Sequence, residues 1–257
     1  MANRYATALL LGLLIAPVQS GFSGAQDALQ APEAATGITE KAASTATRHM
    51  VAAAHPLAAE AGREMLRKGG SAADAAIATQ LVLGLVEPQS SGLGGGAFIV
   101  HWDASKSDLK TYDGRETAPA AAKPDRFLKD GKPMPFGDTV RSGLSVGVPG
   151  LMRALELAHE RHGKLPWAIL FDPAIRLARD GFPMPARLHL LLKAEGPARF
   201  SARARAHFFD ETGAPHAPGS LVKNPAYAET LLTLAEKGAG SFYEGAIAEA
   251  IVAAVAE

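Results

Sequence analysis

The sequence predicts an α+β fold rich in helices. After Met50, apolar residues recur mostly at helical spacing. One pair of alternating runs, Ala97–Asp103 and 109–113, has the length and the polar turn of a hairpin. With 47% hydrophobic and 20% charged residues over 257 positions, the chain can bury a sizeable core. The 26 glycines and 17 prolines imply many turns and short elements.

The elements follow in chain order. Arg4 precedes an apolar run over 6–16 that contains Leu9-Leu10-Leu11 and Leu13-Leu14-Ile15. Eleven residues rise about 16 Å as a helix, well short of a hydrocarbon core of ~30 Å. A cation, a short apolar stretch and small residues predict a signal peptide over 1–25, cleaved after Ser23-Gly24-Ala25 or after Val18-Gln19-Ser20. The alternative is a loosely ordered apolar N-terminus. A soluble exported protein is expected, periplasmic where the cell has two membranes, with no later segment apolar for long enough to span. Residues 26–47, rich in Ala, Thr, Ser and Gln, predict a mobile leader, and 48–257 the folded domain.

Residues 50–54 read as a short buried strand. Pro56 then suits the first position of a helix carrying Leu57, Ala61, Met65 and Leu66 to Gly69-Gly70. Ser71 and Asp74 form a capping-box pattern for a second helix over 72–86, apolar all round and so expected in the interior. Glu87-Pro88 stops it, and Ser90-Ser91-Gly92-Leu93-Gly94-Gly95-Gly96 leads into the hairpin. A loop over 114–119 follows, then an apolar stretch at 144–148 and a helix from Pro149 to about His162, ended by Gly163. Further helices are predicted over 173–179, 185–195 and 225–237, the last ended by Gly238. The amphipathic helix over 246–257 stops without a terminating signal, so a domain truncated at its C-terminus is expected. A helix fraying at a true C-terminus is the alternative.

Composition narrows the chemistry. Lys and Arg number 26 against 26 Asp and Glu, which argues against a dedicated nucleic-acid binder. The absence of cysteine removes disulfides, thiolate metal sites, Fe–S clusters, thiol nucleophiles and a lipoprotein anchor. The glycines at 92, 94, 95 and 96 follow a helix and precede a strand. A phosphate cradle needs the reverse order, so close backbone packing at the entry to a buried strand is the reading. His159 and His162 share a helix face but lack a third ligand, and are expected at a solvated helix end; no metal or cofactor is predicted. No Gly-x-Ser-x-Gly elbow occurs. What remains is Arg115, on a loop leaving a strand. From there its guanidinium fork can hold a carboxylate through paired hydrogen bonds. The alternative is a surface ion pair with Asp113 or Glu116.

Four segments closely resemble the large subunit of γ-glutamyltransferases: Met50-Val-Ala-Ala-Ala-His-Pro-Leu-Ala-Ala-Glu-Ala-Gly62, Gly69-Gly-Ser-Ala-Ala-Asp-Ala-Ala76, Val86-Glu-Pro-Gln-Ser-Ser-Gly-Leu-Gly-Gly-Gly-Ala-Phe98 and Asp113-Gly-Arg-Glu-Thr-Ala-Pro119. Ser145-Val-Gly-Val-Pro-Gly150 and the stretch from Phe171 to Phe182 fit as well, so the resemblance runs from about residue 48 onward. It implies part of an N-terminal-nucleophile hydrolase, an αββα sandwich whose precursor cleaves itself into large and small subunits. In such enzymes a threonine attacks the γ-glutamyl amide of glutathione and related compounds, its own α-amine serving as base, and passes the acyl group to water or an amino acid. The arginine of the Arg-Glu-x-Ala-Pro motif, Arg115 here, is implied to hold the α-carboxylate of the glutamyl group. The sequence contains no Thr-Thr pair, so the resemblance implies a chain that supplies this clamp while a small-subunit portion supplies the nucleophile. An acylase acting on cephalosporin-type or polyglutamate amides, and a non-catalytic fragment, are the alternatives.

Overall fold

A computed structural model describes residues 42–256. The signal peptide and all of the leader up to residue 41 lie outside the described residues; 42–47 are exposed and irregular. The architecture is α+β, and β structure among the described residues comes as separate two-stranded pairs.

Helix α1 (Pro56–Arg67) begins with proline at its first position, and His55 Nδ1 accepts from Leu57 N–H at 3.2 Å. Helix α2 (Ala72–Val86) carries the full capping box: Asp74 N–H donates to Ser71 Oγ at 3.1 Å and Ser71 N–H to Asp74 Oδ2 at 2.8 Å. α2 lies at the centre of the molecule, with Ile77, Leu81, Val82 and Val86 all but inaccessible to water. Around it pack α1, α4 (Leu151–His162), the 3-10 turn Trp167–Phe171 and α5 (Asp172–Asp180), with α8 (Pro225–Lys237) against α5 and that turn. Two polar anchors cross this layer. Tyr227 OH donates to Leu81 O at 2.9 Å, and Trp167 Nε1 donates to Leu234 O at 3.0 Å. Burial pushes the Tyr227 phenol above its ordinary pKa.

Asp74 does more than cap. Fully buried, its Oδ2 also accepts from Lys164 N–H at 2.9 Å and Leu165 N–H at 3.2 Å, which fixes the turn after α4 to the start of α2. One carboxylate thus joins segments ninety residues apart.

Strands β1 (Ala97–Asp103) and β2 (Asp108–Gly114) pair antiparallel, with Ile99 opposite Tyr112 and Val100 opposite Thr111. One face lies against α4 and buries Tyr112; the other leaves Phe98, Val100, Trp102 and Leu109 exposed to water. Two two-residue pairs follow: β3 (Leu128–Lys129) with β4 (Lys132–Pro133), joined through Asp130 and Gly131 at positive φ, and β5 (Phe182–Pro183) with β6 (Leu221–Val222). Short helices α3 (Phe136–Val140), α6 (Ala186–Glu195) and α7 (Ala202–Phe208) and a terminal α9 (Ala246–Ala256) complete the order.

Several expectations change. Residues 50–54 form no strand: none of the described residues pairs with them, and Met50 is exposed. The 144–148 stretch is a 3-10 turn (Gly143–Ser145) followed by a single bridge between Val148 and Thr117. In α9, Ile247 and Ile251 pack on the core but Val252 points to solvent. Contrary to the expectation for later segments, 239–256 has the length and composition to cross a bilayer. Gly245 at positive φ nevertheless breaks it into the 3-10 turn Ala239–Phe242 and α9. The α9 portion rises only about 16 Å.

Candidate functional site

Three backbone segments converge at the end of β2. Residues 114–117 leave the strand, and Thr117 exchanges backbone hydrogen bonds with Val148 at 3.2 and 2.8 Å. The glycine-rich segment crosses beside them, and Gly95 O accepts from Gly150 N–H at 3.2 Å and Leu151 N–H at 3.1 Å, capping the first turn of α4. Gly96 fits where no side chain can. A Cβ there would lie 2.6 Å from Gly114 O, 2.7 Å from Glu116 Oε2 and 2.9 Å from Arg115 Cα. The expected close backbone packing is therefore found at Gly96. It is not found at Gly92 or Gly94, where a Cβ would meet open space, and the strand they lead into is only half-buried.

Arg115 is the first residue beyond β2. Its N–H donates to Asp113 Oδ1 at 2.9 Å, which holds the main chain. Its side chain is 69% exposed, and Nε stands 3.3 Å from Glu116 Oε2. The Glu116 carboxylate is tucked against Gly96, and its Oε2 makes no hydrogen bond among the described residues. Both acids that the sequence placed beside Arg115 thus act on it, Asp113 through the backbone and Glu116 through charge. The Nη1 and Nη2 ends of the fork have no hydrogen-bond partner among the described residues, and the contact with Glu116 is the ion pair that the sequence offered as the alternative. A cleft of about 310 Å³ lies elsewhere, lined by residues that include His189, Lys193 and Phe209.

Behind the glycine segment is a buried polar cluster that sequence reasoning missed. Glu87, the C-cap of α2, is 3% exposed, and its Oε2 accepts from Arg187 Nη1 and from Gln89 Nε2, each at 2.5 Å. Its backbone O accepts from Ser90 and Ser91 N–H, both at 3.0 Å. Burial pushes the nearby His55 imidazole below its ordinary pKa, partly offset by the Glu87 charge. The available signal was an acid ending a helix otherwise apolar all round: such a carboxylate needs a cation or donors.

His162 is the last residue of α4 and is partly exposed, as expected of a helix end, whereas His159 is largely covered; both find partners beyond the helix. His159 Nε2 lies 2.8 Å from Leu165 O and 3.7 Å from Asp74 Oδ1, whereas His162 Nε2 lies 2.6 Å from Tyr112 OH and its ring stacks on His101 at 3.7 Å. Burial, then the His101, Lys106 and Arg161 charges, lower the His162 pKa. The two rings thus serve different partners. Among the described residues, no group of three or more His, Asp or Glu is placed to hold a metal ion.

The sequence profile of the family described as gamma-glutamyltranspeptidase matches residues 58–257. Scoloptoxin SSD14 of Scolopendra dehaani is 45% identical over 196 residues, covering 76% of this chain and 33% of the toxin. The glutathione hydrolase proenzyme of Bacillus subtilis is 39% identical over 203 residues, covering 79% of this chain and 34% of the proenzyme. This chain therefore spans about a third of the length of these curated relatives. Among solved structures, the Helicobacter pylori gamma-glutamyltranspeptidase superimposes with a TM-score of 0.77 at 31% identity, over 82% of this chain and 60% of that one.

Proposed function

Because the chain belongs to the γ-glutamyltranspeptidase family, we propose that it contributes the carboxylate-binding wall of an enzyme that transfers γ-glutamyl groups. Its α+β fold is part of the N-terminal-nucleophile hydrolase fold. Arg115 holds the α-carboxylate of a γ-glutamyl donor such as glutathione. A threonine outside these residues attacks the γ-amide carbonyl, expels the leaving amine and yields an acyl-enzyme, which water or an amino acid then resolves. This sequence has no Thr-Thr pair, in keeping with a nucleophile from the part of the fold that the relatives have and these residues do not cover.

The observation that carries this reading is the place of Arg115 in the Arg-Glu-x-Ala-Pro motif, inside the residues that match the family. Its main chain is fixed by Asp113, and its exposed side chain makes no hydrogen bond through Nη1 or Nη2 among the described residues. The planar pair of N–H groups left open in this way can take two carboxylate oxygens. Glu116, at 3.3 Å on the Nε side, sets the orientation without occupying the fork.

The test compares two substrates in the enzyme containing this chain: γ-glutamyl-p-nitroanilide and the analogue lacking the α-carboxylate. Wild type should prefer the carboxylate-bearing substrate, and Arg115→Lys should reduce that preference about 5- to 150-fold in kcat/KM, corresponding to about 1–3 kcal/mol of charged hydrogen bonding. A preference unchanged in Arg115→Lys would remove Arg115 from the site.

A further inference from the structure

From the buried pair of Glu87 and Arg187 we infer a positioning device for the substrate-binding loop, an inference that rests on the role proposed for Arg115. The pair sets the glycine-rich segment, and through it the backbone that carries Arg115.

The argument starts from what the glycine segment lacks. Between 92 and 96 only Leu93 has a side chain, and a Cβ on Gly92 or Gly94 would touch nothing within 4 Å. Such a segment cannot fix itself by packing, and its glycines have wide conformational freedom. Beyond one turn hydrogen bond, Gly95 N–H to Gly92 O at 3.3 Å, its position depends on its two ends and on Leu93, which is buried. The far end is held by the Gly95 carbonyl on α4 and by the fit of Gly96 against Arg115 and Glu116.

The near end is held by Glu87. Its carboxylate takes the Gln89 amide and the Arg187 guanidinium on one oxygen, while its carbonyl takes the N–H groups of Ser90 and Ser91. The turn over 87–91 is wound around this residue. Pro88 adds a fixed φ and has no N–H that needs an acceptor. Arg187 sits in the first turn of α6, one hundred residues away, so the pair ties the loop to a separate helix. A carboxylate only 3% exposed has lost its water and depends on such donors instead. Losing the guanidinium frees the turn, and freedom there passes through nine covalent links to Gly96 and so to the Arg115 backbone. Arg187 touches no reacting atom in this account.

The test begins with the 257-residue chain and amide hydrogen exchange. Arg187→Met should accelerate exchange at 90–96, Arg115, Gly150 and Leu151 about tenfold or more, with Leu231 and Leu234 in α8 unchanged. Arg187→Lys, which keeps a cation, should restore most of the protection and covers the case in which Arg187→Met fails to fold. Uniform acceleration across the chain, or none at 90–96, would overturn the positioning role. In the enzyme containing this chain, Arg187→Met should raise KM for γ-glutamyl-p-nitroanilide about tenfold or more while kcat changes little. An unchanged KM in Arg187→Met, in an enzyme where Arg115→Lys raises it, would also overturn the inference. If Arg115→Lys leaves KM unmoved, the carboxylate grip is the part that falls, and the exchange pattern alone upholds or overturns the positioning of the loop.

Discussion

Replacing Gly96 with alanine tests the convergence at the end of β2 at a single methyl group. The new carbon would sit 2.6 Å from Gly114 O, 2.7 Å from Glu116 Oε2 and 2.9 Å from Arg115 Cα, all below any normal carbon contact. Glu116 can swing away, but the other two atoms are backbone, tied to the hairpin and, through Thr117 and Val148, to the approach to α4. The strain must therefore move a strand end. Overpacking of this kind costs about 1–3 kcal/mol, which for a chain of this size lowers Tm by about 2–12 °C. Gly94→Ala is the internal control: the same substitution two residues earlier meets no atom within 4 Å and requires no left-handed backbone. It should change stability by less than about 0.5 kcal/mol, or raise it slightly by restricting the unfolded chain. Scanning calorimetry of the two variants beside wild type decides the matter. Equal Tm shifts for both, or a Gly96→Ala variant melting within a degree or so of wild type, would refute the close-approach argument.

Asp74→Ala should cost about 2–5 kcal/mol in urea unfolding, because three backbone N–H groups lose their acceptor together. Asp74→Asn, which keeps an acceptor oxygen, should cost less, and equal losses would show that the hydrogen bonds are not the source. Acid should weaken the fold through its histidines. His55 and His162 have folded-state pKa values below the ordinary one, so the native state binds fewer protons than the unfolded state there. The stability they contribute is complete above the unfolded value and is lost as pH falls through the folded one. Tm measured at decreasing pH should drop across the histidine range, and His162→Asn should flatten that drop; an unaltered profile would remove His162 from the account.

Helix boundaries were legible wherever a residue type fixes a terminus by its own chemistry. Pro56 opens α1, Ser71 and Asp74 open α2, Gly163 and Gly238 close α4 and α8, and each does so in the structure. Helix α7, with its alternation of Ala and Arg, has no apolar stripe to reveal it, and the 3-10 turn Trp167–Phe171 reads as a plain apolar run. The strand expected at 50–54 failed for a different reason: a strand is defined by its neighbour, and local pattern cannot supply one. At the site, Arg115 and its two acids were visible because all three lie within four positions. The guanidinium behind Glu87 was not, because Arg187 is brought to it only by the packing of α6. The partners of His159 and His162 were hidden by the same limit, since Leu165, Tyr112 and His101 reach them only through the fold.

The two-stranded hairpin bears on how this chain must be handled. Phe98, Val100, Trp102 and Leu109 form a greasy stripe on a ladder only two strands wide. Two copies meeting edge to edge could extend that ladder between molecules, and copies stacking face to face would hide the stripe. Lys106 and Lys110 near the turn act as brakes, but both are engaged by neighbouring aspartates. Such encounters are second order in protein, so yield on expression should depend steeply on concentration, and a dilute, slow synthesis should favour the monomer.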